Sequence, residues 1–280
     1  MIEGIAGKVA LVTGAARPRS IGRATAIRLA REGADVACLD IAQPYSDFPG
    51  YDLGSKDDLD ELVGIITSLG RRSIAVQADV TSSEQVIGAV DKVSRELGGI
   101  NILVNCAGGA GFGMGAGPLL TLSESEMRKV VDVNLIGTWL MCRSVATKMI
   151  ESGGTARIVN ISSQAGKRGF PLLGAYCAAK AGVILLTQVL ALELGPAGIT
   201  VNAICPGTVD TDLLNKDHQF EKMIGSLEAG GFEAWVRREI PVGRIEEPED
   251  VAGAVCFLCS NDGGYITGEA LNVSGGQTMV

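Results

Sequence analysis

The sequence predicts one α/β domain, a seven-stranded parallel sheet wound on both faces by helices. Three observations carry that expectation. Short runs rich in Val, Ile and Leu alternate with longer amphipathic stretches, the order of a parallel sheet built from strand–helix–strand units. Those short runs are apolar throughout, as strands covered on both faces must be. No Pro- or Ser-rich linker divides the chain, so residues 1–280 read as one unit, long enough to bury roughly 75% of the unfolded surface without disulfides.

The elements follow in order. KVALVTG, ending at Gly14, is the first strand. IGRATAIRLAREG is the first helix, with Ile21, Ala24, Ile27 and Leu29 spaced for burial and Gly33 as its stop. DVACLD (35–40) is the second strand, LDELVGIITSLG (59–70) a helix and SIAVQADV (73–80) the third strand. SSEQVIGAVDKVSRELG (82–98) is a Ser-capped helix, and INILVNCAG (100–108) the fourth strand. Residues 123–153 read as one uninterrupted helix. RIVNISS (157–163) is strand five, and 175–198 form a helix that Gly and Pro end. TVNAICPG (200–207) is strand six and ALNVSGG (270–276) strand seven. Two stretches lack a period: a loop at 42–55, and a long excursion at 208–247 of the kind compact domains reserve for a functional lid.

The bulk composition excludes several classes. A net charge of −8 disfavours nucleic acid or an anionic membrane as partner. The N-terminus has no basic region or cleavage site, and no apolar run is read as a span of ~20 residues, so the expectation is a cytoplasmic protein. Seven Cys in apolar segments read as reduced, buried thiols. Cys256 and Cys259 have C-x-x-C spacing but lie in a helical apolar run, which favours core packing over a metal; no metal site is expected. His218 reads as a surface or lid residue.

The turn after strand one is rich in cofactor signals. A Gly-containing strand-to-helix corner lets a pyrophosphate approach backbone N–H groups at the positive helix end, the Rossmann-type arrangement. Gly14, Arg17, Ser20, Ile21 and Gly22 are the candidates, although AARPRSI between the two glycines is long and Ser20 replaces a middle Gly. Asp40, with Ile41, ends strand two, where a carboxylate accepts ribose hydroxyls and repels a 2′-phosphate. NAD is therefore expected over NADP, with Arg17 and Arg19 as counter-evidence.

Tyr176 and Lys180 lie at i and i+4 of one helix and share a face. A free phenol has a pKa near ~10, and an adjacent ammonium lowers it, so the pair suits proton transfer to and from an alcohol or carbonyl. Ser163, thirteen residues before Tyr176, is a candidate hydrogen-bond donor to the substrate oxygen.

The ordered set of Gly loop, NCAG at 105–108, Asn134, Ser163, YxxxK at 176–180 and PG at 206–207 resembles the short-chain dehydrogenase/reductase family, in its single-domain branch, over essentially the whole chain. The resemblance implies hydride transfer between a nicotinamide and a secondary alcohol or ketone, with Tyr176 as acid/base. It implies that Lys180 grips the nicotinamide ribose and that Asn134 holds a water leading from Lys180 to solvent. It places Asp79 and Val80 beside the adenine, Asn105, Ala107 and Gly108 under the cofactor, and Pro206, Gly207, Val209 and Thr211 at the carboxamide. Thr211 is open to a second reading, as a helix cap. Homotetramers are common in the family, and the Ala-rich helix after Tyr176 suits subunit packing.

Three departures qualify this. The long Gly loop resembles enoyl-thioester reductases, whose Tyr–Lys spacing is wider, so YxxxK argues for carbonyl chemistry. NCAG replaces the commoner NNAG. The 42–55 loop resembles an insertion of carveol-dehydrogenase-like members, some of which hold their nicotinamide very tightly. The substrate wall is expected from Gln164, Phe170, Leu172, Leu173, Leu213 and Leu214, with the Gly-rich run 108–117 as another edge; a small to medium, mostly apolar substrate follows. A 3-oxoacyl-thioester reductase and a non-catalytic NAD-binding scaffold are the alternatives.

Overall fold

The computed structural model describes residues 2–111 and 113–280, which leaves Phe112 of the 108–117 run outside the described residues. The strands are β1 (Val9–Thr13), β2 (Asp35–Asp40), β3 (Ser73–Gln77), β4 (Ile102–Asn105), β5 (Ala156–Ile161), β6 (Ile199–Pro206) and β7 (Ala270–Val273). They form one parallel sheet in the order β3-β2-β1-β4-β5-β6-β7. The order reverses between β1 and β4, which opens a crevice at the carboxyl ends of those strands.

Burial on both faces explains the unbroken apolar strands. Ala10 and Val12 of β1 point into one core, built with α1 (Ile21–Arg31), α2 (Lys56–Ser68) and α10 (Pro248–Cys259). Val9 and Leu11 point into the other, built with α3 (Ser83–Leu97), α5 (Gly137–Ser152) and α6 (Gly174–Leu194). Cys256 and Cys259 are in the first core and all seven thiols are free. Burial pushes the Cys256 thiol up to about 12, so it packs as a small apolar group.

The expected helix over 123–153 is not uninterrupted. It comprises α4 (Glu124–Val131), a wider π-turn at Asp132–Ile136, and α5. The extra residue in that turn rotates Asn134 into the crevice side, a distortion that commonly marks functional positions. The excursion also has structure that scattered apolar residues did not announce. It contains α7 (Asp212–Asn215), α8 (Gln219–Leu227) and α9 (Gly231–Glu239), and of α8 and α9 together only Val236 is buried.

One sequence expectation fails. The helix Gly174–Ala197 is long and apolar enough, by length and composition, to cross a membrane, with a mean hydropathy of 1.7. One third of that window is buried here, where α6 lies against β6. Its apolar remainder, including Leu185, Val189 and Leu192, faces outward in the single chain.

Candidate active site

The crevice floor is made by glycines at the ends of β1 and β4. Gly14 has φ +67°, and a side chain on Gly22 would strike the Gly14 carbonyl, so both must stay bare for α1 to start this close to β1. Ser20 caps α1, its hydroxyl accepting from Arg23 N at 3.1 Å; Ile21 is the first helical residue. Thr13 Oγ1 accepts from Cys106 N and Ala107 N at 3.1 and 3.0 Å, which ties the two strand ends together. A side chain on Gly108 would meet Lys180 Nζ at 3.2 Å and Asn134 Oδ1 at 2.5 Å, so this glycine lets both approach.

Asp40 is buried, which raises its pKa, against the pull of N–H groups from Ala16 and Ala42. Its two oxygens accept from Ala16 N (2.9 Å) and Ala42 N (3.0 Å), fastening the Gly loop to the end of β2. A carboxylate has about four lone-pair sites, so two remain for a ribose. Ile41 packs against the 42–55 loop and its carbonyl accepts from Gln77 Nε2. Asp79 Oδ1 accepts from Thr81 N and Oγ1, both at 2.8 Å, and Val80 is buried beside Gly137.

Tyr176 and Lys180 stand in the first turns of α6, and Ser163 follows β5 as the cap of a short turn, accepting from Ala165 N at 3.1 Å. The Ser163 hydroxyl faces the Tyr176 phenol, close enough to pull its pKa down. Lys180 Nζ lies 5.5 Å from the Tyr176 ring centroid and donates to the Ile161 carbonyl at 2.8 Å. Burial pushes the Tyr176 pKa above its ordinary value, opposed by the Ser163 hydroxyl. Burial also pushes the Lys180 pKa down to about 8. The expected lowering of the phenol pKa by Lys180 is therefore outweighed by burial. The ammonium sits over the ring, itself short of solvent, and desolvation of the phenolate dominates.

Several other residues depart from expectation. The Asn134 side chain is bonded at both amide atoms: Oδ1 accepts from Gly109 N (2.9 Å), and Nδ2 donates to Gly109 O (2.8 Å) and Val130 O (2.9 Å). Its amide thus holds the β4 exit loop, with one lone pair of Oδ1 left over. Asn105 turns into the core, donating to Asn160 Oδ1 at 2.9 Å and Cys142 Sγ at 3.2 Å. Gln164 is not on an open wall. It is buried, with Nε2 donating to Gln277 and Oε1 accepting from Thr278, so the C-terminal segment consumes it. Leu172, at φ +68°, is exposed, Phe170 and Leu173 are half-buried, and Leu214 is at the exposed margin.

After β6, Gly207 N donates both to Val273 O and to Glu246 Oε2. Val209 is buried and pairs with Glu246, closing the two ends of the excursion on each other. Thr211 is the N-cap residue of α7, its carbonyl accepting from Leu214 N and Asn215 N, although its side chain makes no cap hydrogen bond. Arg17 donates to the Asp52 carbonyl and lies over the Tyr51 ring, while Arg19 pairs with Asp210 and Asp212. Lys216 reaches Asp52 at 2.5 Å. The Gly loop, the 42–55 loop and the base of the excursion are thus tied together around a cavity of about 440 Å³.

A dinucleotide fits these residues. The floor is cleared of side chains at Gly14, Gly22 and Gly108, the positive end of α1 faces it, and two buried polar atoms, Arg17 Nε and the Tyr51 hydroxyl, have no partner among the described residues. Tyr51, Thr13 and Glu246 were not singled out by sequence reasoning.

The comparisons with known proteins agree. A family model described as "Enoyl-(Acyl carrier protein) reductase" matches residues 14–278. Galactitol 2-dehydrogenase of Agrobacterium fabrum is 39% identical over 273 residues, 97% of this chain and 98% of that protein. Cyclohexanol dehydrogenase of a Rhodococcus species is 39% identical over 97% of this chain and 96% of its own length. The crystal structure of carveol dehydrogenase from Mycobacterium avium in complex with NAD superimposes with a TM-score of 0.88, at 33% identity, over 98% of this chain and 99% of that one. The chain belongs to the short-chain dehydrogenase/reductase family of oxidoreductases.

Proposed function

We propose that the protein interconverts a small to medium, mostly apolar secondary alcohol and its ketone, using NAD, with Tyr176 moving the proton. The observation that carries this is the cluster in which the Ser163 hydroxyl faces the half-buried Tyr176 phenol, with the buried Lys180 beside the ring. The nicotinamide, when bound, supplies the hydride acceptor or donor. Tyr176 takes the alcohol proton at its phenolic oxygen in oxidation and returns it in reduction. Ser163 donates to the substrate oxygen as charge develops there. Lys180 as ammonium, and the positive ring when present, favour the phenolate that burial opposes. Asn134 positions the β4 exit loop under the cofactor. Asp40, at the tip of β2, favours NAD by repelling a 2′-phosphate.

The excursion 208–247 is the substrate lid in this reading, and Leu213 is its innermost contact, packed in the cluster that includes Tyr51 and Tyr176. Phe170, Leu172, Leu173, Leu213 and Leu214 supply an apolar wall, which favours an apolar alcohol over a polyol although relatives of both kinds are equally similar. Full-length relatives named as alcohol dehydrogenases do not favour a 3-oxoacyl-thioester substrate, nor does an intact Tyr176–Lys180 pair favour a scaffold. The outward apolar face of α6 supports a homotetramer, and seven free thiols support the cytoplasm. Light scattering tests the tetramer.

The assay is NADH formation, followed by absorbance, over a panel of secondary alcohols. Tyr176→Phe is expected to lower kcat by about 10²–10⁴-fold while NAD still binds. An equally active Phe variant would remove Tyr176 from the mechanism.

A further inference from the structure

The 42–55 loop carries Tyr51 into the crevice. Its ring stacks on Tyr45 (centroids 6.4 Å apart, planes at 24°), and a Lys129 ammonium 3.8 Å above Tyr45 pins that pair to α4. The Tyr51 side chain is 5% exposed. Its hydroxyl has no hydrogen-bond partner among the described residues, although an unpaired buried hydroxyl is costly. A side chain on Gly109 would collide with that hydroxyl, and the phenol is near enough to raise the Tyr176 pKa. Arg17 of the Gly loop lies 5.9 Å from the ring centroid, close enough to the Tyr51 phenol to pull its pKa down against burial. One Arg17 N–H goes to the Asp52 carbonyl, and its Nε is a second orphan.

The Tyr51 hydroxyl and the Arg17 guanidinium therefore stand together at the Gly-loop side of the crevice, each with an unpaired polar atom. We propose that Tyr51 is a cofactor-positioning residue whose hydroxyl hydrogen-bonds the ribose–diphosphate stretch of the dinucleotide, beside Arg17. The inference rests on the NAD-binding reading above. It assigns the loop a ligand contact where a regular βα turn has none, and it explains why a phenol rather than a phenyl ring is buried at this place.

Titration calorimetry of the purified full chain with NAD, ADP-ribose and AMP tests it, with melting temperatures measured in parallel. Tyr51→Phe removes only the hydroxyl. It is expected to weaken NAD and ADP-ribose by about tenfold, the worth of one such hydrogen bond. AMP, which lacks the diphosphate and second ribose, is expected to bind as it does to the parent chain. The nucleotide-free variant is expected to melt no lower than the parent, because no protein partner is lost. Equal affinity of parent and variant for NAD and ADP-ribose overturns the proposal. So does an equal loss for AMP, or a lower melting temperature without nucleotide, since either makes the hydroxyl structural. A parent chain that neither binds NAD nor carries it on acid extraction breaks the functional reading instead.

Discussion

Around Tyr176 the side chains are packed into the body of the sheet. Lys180 is 4% exposed, Asn134 is wholly buried with every amide atom bonded, and Ser163 is fixed by its own turn. Across the crevice, α8 and α9 pack mainly on each other. Phe220, Phe232 and Trp235 form a cluster with centroids 5.4–6.3 Å apart, and the attachment to the body runs through Leu213 and Val209 and through ion pairs of Arg19, Asp210, Asp212, Lys216 and Asp52. One wall is held by burial and saturated hydrogen bonds, the other by its own small aromatic core and solvent-facing ion pairs. Geometry on the first side is set before substrate arrives, whereas the second has fewer buried contacts with the body.

That contrast predicts different kinetic signatures on the two sides. Ser163→Ala removes a donor from the rigid wall. It should lower kcat/KM by about 10²–10³-fold, with NAD affinity unchanged, as read by steady-state kinetics and calorimetry. A loss below tenfold would mean that the hydroxyl only shapes the turn. On the excursion side, Trp235→Ala removes the ring at the centre of the aromatic cluster, whose pairs are each worth about 0.5–1.5 kcal/mol. KM for the alcohol should rise several-fold with kcat within about twofold, and the main melting transition should barely shift. A fall in kcat as large as that of Ser163→Ala would show that the two walls act as one.

Sequence legibility divides along the same line. The strands, the helices of the body and the Tyr176–Lys180 face were legible because period, caps and i,i+4 spacing are local properties. The π-turn at Asn134 was not, since one residue added to a helical turn leaves the surrounding period nearly intact. Gln164 escaped because its partners, Gln277 and Thr278, stand more than 110 residues away. The commitment of Asn105 to Asn160 depends on which strands are neighbours. Tyr51 lies in an aperiodic loop, and only the fold shows its hydroxyl arriving beside Gly109.

Glu246 sits where the two regions meet and gives a pH test of the junction. Burial raises its pKa to about 8, with Oε2 accepting from Gly207 N and Oε1 unpaired among the described residues. The folded state thus favours the protonated acid. Its contribution to stability is complete below the ordinary carboxylate pKa and is lost as pH rises through about 8. Glu246→Gln, neutral at every pH, should melt close to the parent at pH 5 and higher at pH 9, by about 2 °C or more. Parallel melting curves across that range would place the carboxylate in contact with water.

The smallest effect is expected at the Arg19 anchor. Its side chain is 43% exposed, and exposed ion pairs are worth about 0.2–1 kcal/mol. Arg19 also bridges two segments far apart in sequence, because Asp212 N donates to its carbonyl and Asp212 Oδ2 accepts from its N–H. Those backbone bonds survive Arg19→Gln, so the base of the excursion should stay in place and only the ionic component should vanish. In the parent, KM for the alcohol should rise modestly between about 0.05 and 0.5 M salt as the pair is screened. In Arg19→Gln, KM should start at the high-salt value and remain flat. If the variant keeps the parent's salt dependence, the ion pairs do not anchor the excursion, and the contrast between the two walls must come from packing alone.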